Sequence, residues 1–206
     1  MKGDYTAVSE VREDEMNLKG SRFIGMAMPC PCESSIKENL AVAEKRYPNA
    51  THYCYAAVYG GPERRERSSD NGEPSGTAGK PMMAVLKGSE LSDSMVIAIR
   101  YFGGTLLGTG GLVHAYTETS KLALDGVKTV DRTSCVVFTF TLDYPVYSRF
   151  EALMSNIMAK RPRCEYAEKV DVRAWVHEED EEAFLRRFSD LTERKVVPFR
   201  AGTEYV

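Results

Sequence analysis

The sequence lacks several features that would place it outside the ordinary globular proteins. No apolar run approaches the roughly 20 residues that cross a bilayer, and the opening MKGDYTAVSEVREDEMN is charged, without the apolar stretch of a secretory signal. Lys and Arg number 27 against 30 for Asp and Glu, so the net charge of −3 is not the basic balance of a typical nucleic-acid-binding protein. We therefore expect a cytoplasmic protein in which any nucleic-acid contact is local.

Cysteine is scarce and irregularly spaced. An odd count of five, with no export signal, predicts reduced thiols and no disulfide framework. His52 and Cys54 lie two residues apart, but their spacing from Cys30 and Cys32 matches no zinc finger, and a base deaminase would need glutamate two residues after its histidine. We expect no bound metal.

Nucleotide-binding and nucleophile motifs are also missing. A phosphate-binding loop ending at Lys80 would need glycine where Pro74 stands and Ser or Thr where Pro81 stands. A dinucleotide fingerprint starting at Gly108 would need glycine or alanine in place of Val113. Because GxSxG is absent as well, we assign no catalytic nucleophile and expect no cofactor.

The composition, with 43% hydrophobic and 28% charged residues, is that of an average globular protein. The residue pattern changes near residue 128, where a helical segment ends and a strand-rich segment begins. We predict an α+β protein of two domains, residues 1–128 and 129–206. The second reads as β-α-β-β-α-β, the split β-α-β plan of ferredoxin-like domains.

The sharpest local feature follows a predicted central strand, MVIAIRYF at 95–102. The glycine-rich GGTLLGTGG comes next, and then a predicted helix from about 111 to 125. Gly108, Gly110 and Gly111 stand where that helix begins, so its backbone donors and dipole can hold a phosphate or carboxylate. Glycines that only permit sharp turns and close packing are an equally good interpretation.

Arg100, at the edge of the predicted buried strand, needs either a carboxylate partner or an anionic ligand, and burial energetics favour the carboxylate. Residues 60–79 form a long polar segment, predicted to be a loop. Its Arg64, Arg65 and Arg67 are either solvated charges or secondary contacts to an anion.

In the second domain, alternation places Arg173, Trp175 and His177 on one face of a strand. An exposed sheet face with these side chains predicts RNA stacking or a protein interface. Burial against the other domain is the alternative.

Four segments together resemble the IMPACT/YigZ family: SRFIG from Ser21, ATHYCYA from Ala50, RSSDNGEPSGTAGKP from Arg67 and IRYFGGTLLGTGGLVHAY from Ile99. The resemblance spans roughly residues 18 to 127, and its most specific part is YFGG-LGTGG. It implies a first domain similar to the second domain of ribosomal protein S5, and a second similar to the last domain of elongation factor G. Eukaryotic members have an extra partner-binding domain and regulate a stress kinase that restrains translation initiation. We expect a broader link to translation here.

The resemblance also marks a shared functional surface without naming its ligand. Its residues are His52, Ser69, Asp70, Glu73, Arg100, Gly103, Gly104, Gly108, Gly110 and Gly111.

Three functional hypotheses remain open. The first is a non-enzymatic regulator that binds RNA, the ribosome or a translation-factor protein through the glycine-rich face. The second is an enzyme acting on a phosphorylated or carboxylated small molecule at Gly108–Gly111, with Asp70, Glu73 or His114 handling protons. The third is a protein-interaction module that uses the Trp175 face. The sequence leaves the oligomeric state open.

Overall fold

The computed structural model describes residues 3–206, which divide into two compact units. The first unit is Tyr5–Asp131, and the second is Arg132–Val206 together with Gly3 and Asp4. The division falls after residue 131 rather than 128 because the strand Thr129–Arg132 pairs with the first strand of the chain. The carboxylate of Asp4 accepts a hydrogen bond from the backbone N–H of Ser134 at 3.2 Å, which joins the start of the chain to the second unit.

The first unit contains seven strands and three helices. They are β1 (Tyr5–Val8), β2 (Arg12–Leu18), β3 (Ser21–Pro29), α1 (Glu33–Arg46), β4 (His52–Tyr59), β5 (Arg65–Ser69), α2 (Gly79–Gly88), β6 (Ser94–Tyr101), α3 (Gly108–Leu124) and β7 (Thr129–Arg132). A 3₁₀ turn at Gly61–Glu63 precedes β5. Five strands form an antiparallel sheet in the order β2-β3-β6-β4-β5, while β1 and β7 pair separately.

The central strand β6 is covered on both faces, as its continuous apolar run predicted. Val96 and Ala98 face the core formed with α2 and α3, whereas Met95, Ile97 and Ile99 face the core formed with α1. The helix predicted at about 111–125 corresponds to α3. This arrangement places the end of β6 beside the start of α3.

A glycine in β3 sets the distance between α3 and the sheet. A Cβ added at Gly25 would lie 2.6 Å from the carbonyl oxygen of Thr119 and 2.9 Å from the Cβ of Ala123. Glycine in a strand interior permits such a close approach. The helix that begins at the glycine-rich segment therefore packs directly on the backbone of β3.

The second unit has the predicted β-α-β-β-α-β order. Its elements are β8 (Ser134–Leu142), α4 (Tyr144–Met154), β9 (Met158–Tyr166), β10 (Val170–His177), α5 (Glu181–Leu191) and β11 (Phe199–Tyr205), with a 3₁₀ turn at Glu178–Asp180. The antiparallel sheet runs β11-β8-β10-β9. Helices α4 and α5 cover one face of it through an aromatic core of Phe138, Phe140, Phe150, Phe184 and Phe188.

Two strands of the five-stranded sheet were not predicted. Residues 65–69 were assigned to a polar loop but form β5, and the charged segment 12–18 forms β2. Both are edge strands of the five-stranded sheet, and neither contains a fully buried side chain. Charged side chains are common on edge strands, where only one neighbour is paired, so the usual alternation of apolar residues is absent.

We expect Phe150→Ala to destabilise the second unit by about 3–5 kcal/mol, because a fully buried ring is replaced by a cavity. The measurement is urea unfolding followed by circular dichroism. The matched control is Leu153→Ala on the same helix, where the side chain is 52% exposed and the loss should be much smaller. Equal destabilisation by the two variants would contradict this account of the core.

Candidate functional site

The segment Phe102–Gly111, called here the glycine-rich surface, leaves β6 and ends in the first turn of α3. It is largely exposed, and Leu106 at its centre is 85% exposed. Within the described residues, α3 begins without a side-chain cap, and its first turn holds no acidic residue. The first backbone N–H groups of a helix have no partner inside the helix, so here they are left for water or a ligand.

Gly103 fits this surface against the turn between β2 and β3. A Cβ at Gly103 would lie 1.9 Å from both the carbonyl carbon and the carbonyl oxygen of Gly20, and 2.4 Å from the nitrogen of Ser21. The N–H of Gly103 donates to the Ser21 hydroxyl at 3.2 Å. Close backbone contact therefore requires glycine at this position.

A buried ion pair lies behind the surface. Arg100 Nη1 donates to Glu73 Oε1 at 2.6 Å, and the two side chains are 6% and 3% exposed. The hydroxyl of Tyr116 donates to the same carboxylate oxygen at 2.7 Å. The sequence predicts either a carboxylate partner or an anionic ligand for Arg100, and the structure shows the carboxylate of Glu73.

The guanidinium of Arg100 also packs against aromatic rings. Its Cζ lies 5.4 Å from the ring centre of Phe23 and 5.5 Å from that of Phe102, within the range of a cation–π contact. Its Nη2 is 3.4 Å from the hydroxyl of Ser21, which also accepts the N–H of Gly103. The buried charge and the glycine-rich surface thus share one hydroxyl group.

His52 lies at the edge of the same cluster. It is directly opposite Arg100 in the β4–β6 register, and its Nε2 is 3.8 Å from Glu73 Oε1. Its Nδ1 is 2.8 Å from the carbonyl oxygen of Asn71. A carbonyl oxygen only accepts, so Nδ1 carries a hydrogen.

Asp70 organises the loop that carries Glu73. Its carboxylate accepts three backbone N–H bonds, from Gly76 at 2.9 Å, Ala78 at 2.9 Å and Gly79 at 2.8 Å. Burial disfavours the charged form, but the three donors together outweigh that effect and lower the pKa of Asp70 below its usual 3.8. Since Ala78 and Gly79 stand at the start of α2, this carboxylate caps that helix from a distance.

Ser69 and Cys54 have structural partners in the same region. The hydroxyl of Ser69 accepts the N–H of Asn71 at 3.1 Å, and the thiol of Cys54 donates to the carbonyl oxygen of Asp70 at 2.9 Å. Burial raises the pKa of Cys54 to about 12 and also raises the pKa of Tyr116. Neither group is ionised at neutral pH.

The remaining candidate residues lie in different surroundings. Gly104, Gly108 and Gly110 are exposed on the glycine-rich surface and Gly111 is half-buried, while His114 is exposed further along α3.

Arg64, Arg65 and Arg67 all have partners inside the first unit. Arg64 donates to the carbonyl oxygens of Glu90 and Leu91, Arg65 pairs with Glu63, and Arg67 pairs with Glu33. Arg65 is opposite Tyr59 in the register, at the end of β4 remote from His52. The structure therefore places the basic group away from the His52–Glu73–Arg100 cluster.

The prediction that Trp175 lies on an exposed stacking face is wrong. The indole is only 4% exposed, packed with Cys135 and Val137, and its Nε1 donates to Glu204 at 2.6 Å. The ammonium of Lys160 lies 3.9 Å from the ring centre. Strand alternation predicted which residues share this face, but it does not say which part of the face is covered.

Sequence reasoning missed three members of the cluster: Ser21, Asn71 and Tyr116. Tyr116 falls within the helix predicted at about 111–125, where its spacing is that of an apolar position. A buried tyrosine hydroxyl usually has a hydrogen-bond partner, so this position could have suggested a buried acceptor.

Among residues 3–206, no three or more His, Cys, Asp or Glu side chains lie close enough together to hold a metal ion. No helix formed by residues 3–206 is long and apolar enough to cross a membrane.

Residues 19–124 match the Impact N-terminal domain family. The chain belongs to the IMPACT family. It is 34% identical to the IMPACT family member YvyE of Bacillus subtilis, over 93% of this chain and 88% of that protein. It is 37% identical to the IMPACT family member YigZ of Escherichia coli, over 72% of this chain and 74% of that protein.

Among solved structures, the crystal structure of a hypothetical protein superposes with a TM-score of 0.74 at 30% identity, covering 97% of this chain and 98% of that one. The Impact domain match runs from the end of β2 to the end of α3 and contains the whole cluster and the glycine-rich surface. The similarity to YvyE extends well beyond that domain and includes much of the second unit.

In this IMPACT protein we expect Glu73→Gln to reduce the stability of the first unit by about 3–5 kcal/mol, because it leaves the buried Arg100 guanidinium without a counter-charge. Urea unfolding is the measurement. Glu66→Gln, which breaks an exposed pair with Lys87, is the control and should change stability by less than about 1 kcal/mol. A Glu73→Gln protein as stable as the wild type would contradict the role of the pair.

Asp70→Asn should destabilise the first unit by about 1–3 kcal/mol at neutral pH, because the amide NH2 that replaces one carboxylate oxygen cannot accept the backbone N–H bonds made to that oxygen. Because the folded pKa of Asp70 is lowered, the stability from its charge is present above about 3.8 and is lost as the pH falls through the folded pKa. The difference between wild type and variant, measured by thermal unfolding, should therefore shrink in acid. A difference that stays constant with pH would show that the charge is not responsible.

Proposed function

We propose that this IMPACT protein is a non-enzymatic regulator linked to translation, that it acts in the cytoplasm, and that it binds RNA, free or within the ribosome, through the glycine-rich surface. One observation carries the proposal. The exposed segment Phe102–Gly111 contains no acidic side chain and ends at an uncapped helix start within the described chain.

Such a surface suits phosphate groups. The start of a helix carries a partial positive charge and unpaired N–H donors, both of which attract anions. Backbone N–H groups and helix starts are frequent contacts to the phosphates of nucleic acids. Lys19 is exposed beside Gly20, whose backbone touches Gly103, and adds a cation at the margin of the surface.

The state of the polar side chains supports a binding role over catalysis. Asp70 accepts three backbone bonds, Glu73 is buried against Arg100, and the pKa of the Cys54 thiol is about 12. A general base or nucleophile must reach its substrate in the right protonation state. These three groups are instead committed to the internal structure.

Family membership supports the link to translation. The resemblance described above implies that the first unit is similar to the second domain of ribosomal protein S5, and the second unit to the last domain of elongation factor G. We propose that both units have these folds. The resemblance also suggests a translation-factor protein as the partner. The start of α3 has no acidic side chain in its first turn, which favours RNA, a polyanion, over a protein.

The test is co-sedimentation of the purified protein with ribosomes and with total RNA over a series of salt concentrations. We expect binding at low salt that weakens steeply as salt rises, since protein–phosphate contacts release counterions. Gly110→Asp, which places a carboxylate at the helix start, should weaken binding at least about tenfold, equivalent to about 1.4 kcal/mol.

The matched control is Gly110→Ala. A Cβ at Gly110 meets no atom within 4 Å, so alanine should leave both the fold and RNA binding intact. Lys19→Gln should reduce the salt dependence with little effect on stability. No binding at low salt, or equal binding by the Asp and Ala variants, would refute the proposal.

A further inference from the structure

The second unit carries a cleft on the face of its sheet that α4 and α5 leave open. The cleft has a volume of about 580 Å³, within the range of small-molecule sites. Its polar lining comes from three adjacent strands and consists of Thr139, Thr141, Arg163, Glu165, Asp171 and Arg173.

The strand register arranges the charges of this cleft in two rows. Arg173 is directly opposite Arg163, and Asp171 is directly opposite Glu165. Like charges in directly opposed positions destabilise a sheet. Each row therefore brings together two like charges that do not stabilise the sheet.

The rows are only partly neutralised by the rest of the unit. Arg173 pairs with Glu204, and Asp171 accepts the hydroxyl of Thr141 at 2.5 Å. Arg163 and Glu165 are exposed and have no hydrogen-bond or ion-pair partner in the part of the chain that the structure describes. One guanidinium and one carboxylate, two residues apart on β9, remain available for a ligand.

We infer that this cleft binds a small zwitterion, with the ligand carboxylate on the Arg163–Arg173 row and the ligand ammonium on the Glu165–Asp171 row. The four side chains have opposite charges in equal number, so the lining favours a ligand with both charges over a polyanion. This inference concerns the second unit and does not depend on the RNA-binding proposal.

The spacing of the rows indicates how far apart the ligand charges lie. The rows are two residues apart along each strand, which is about 7 Å at the usual rise of an antiparallel strand. Two extended residues also span about 7 Å. A dipeptide with free termini fits this separation. A diamino acid such as free lysine, whose side-chain ammonium lies far from its carboxylate, offers the same chemistry from a second source.

The test is titration of the full chain with alanyl-alanine, followed by NMR chemical-shift changes or calorimetry. Titration to about 10 mM would largely saturate a millimolar complex. We expect saturable binding of alanyl-alanine, and at least about tenfold weaker binding when its amino terminus is acetylated or its carboxyl terminus is amidated. Parallel titrations with free lysine and free alanine show whether a diamino acid binds as well as a dipeptide. Of these two amino acids, only lysine has an ammonium that lies far from its carboxylate.

Two variants test the rows separately. Arg163→Gln and Glu165→Gln should each weaken alanyl-alanine binding about tenfold or more. Each also removes a like-charge opposition, so neither should lower the thermal stability of the protein, which separates loss of a site from loss of the fold. Arg161→Gln is the control, since Arg161 lies on the same strand but lines a different depression.

Several results would overturn the inference. They are no saturable binding of either alanyl-alanine or lysine, equal binding of the capped dipeptides, and Arg163→Gln binding like the wild type. Tighter binding of inorganic phosphate than of alanyl-alanine would overturn it as well, because the cleft would then be an anion site.

Discussion

The first unit depends on one buried ion pair, Arg100 with Glu73. Removing two charges from water costs several kcal/mol for each ion, and close contact with further hydrogen bonds is needed to offset that cost. Here the Tyr116 hydroxyl reaches the carboxylate, the Ser21 hydroxyl lies near the guanidinium, and two aromatic rings flank it. The pair thereby ties together the central strand β6, the loop before α2, and α3. Three segments distant in sequence converge on one carboxylate oxygen.

This arrangement places the charges of Arg100 and Glu73 behind the glycine-rich surface and leaves backbone donors on that surface. The helix that holds Tyr116 is the one that begins at the glycine-rich surface, so the buried pair also positions that surface. Ser21 strengthens the connection, because its single hydroxyl contacts both Arg100 and the N–H of Gly103. The outer face can be neutral and glycine-rich because the groups that hold it lie behind it.

The second unit shows the opposite distribution. Its helices bury a cluster of phenylalanines on one face of the sheet, while charged side chains occupy part of the other. Alternation along β10 separates the two sets, since Val172 and Ala174 point to the aromatic core and Asp171 and Arg173 to the cleft. A sheet covered by helices on one side is free to use its other side for recognition.

The elements with strong apolar patterns could be predicted from the sequence: β6, α3 and the β-α-β-β-α-β order of the second unit all follow from the spacing of buried side chains. The sequence also indicates that an arginine at the end of a buried strand needs a compensating charge. It did not reveal β2 and β5, because edge strands with charged side chains lack that pattern. The tertiary structure was needed to show that Glu73, 27 positions away, is the partner of Arg100, that Gly103 touches Gly20, and that Trp175 is buried. The physical reason is that these contacts arise from the order of strands in each sheet, which brings together residues whose separation along the chain carries no local signal.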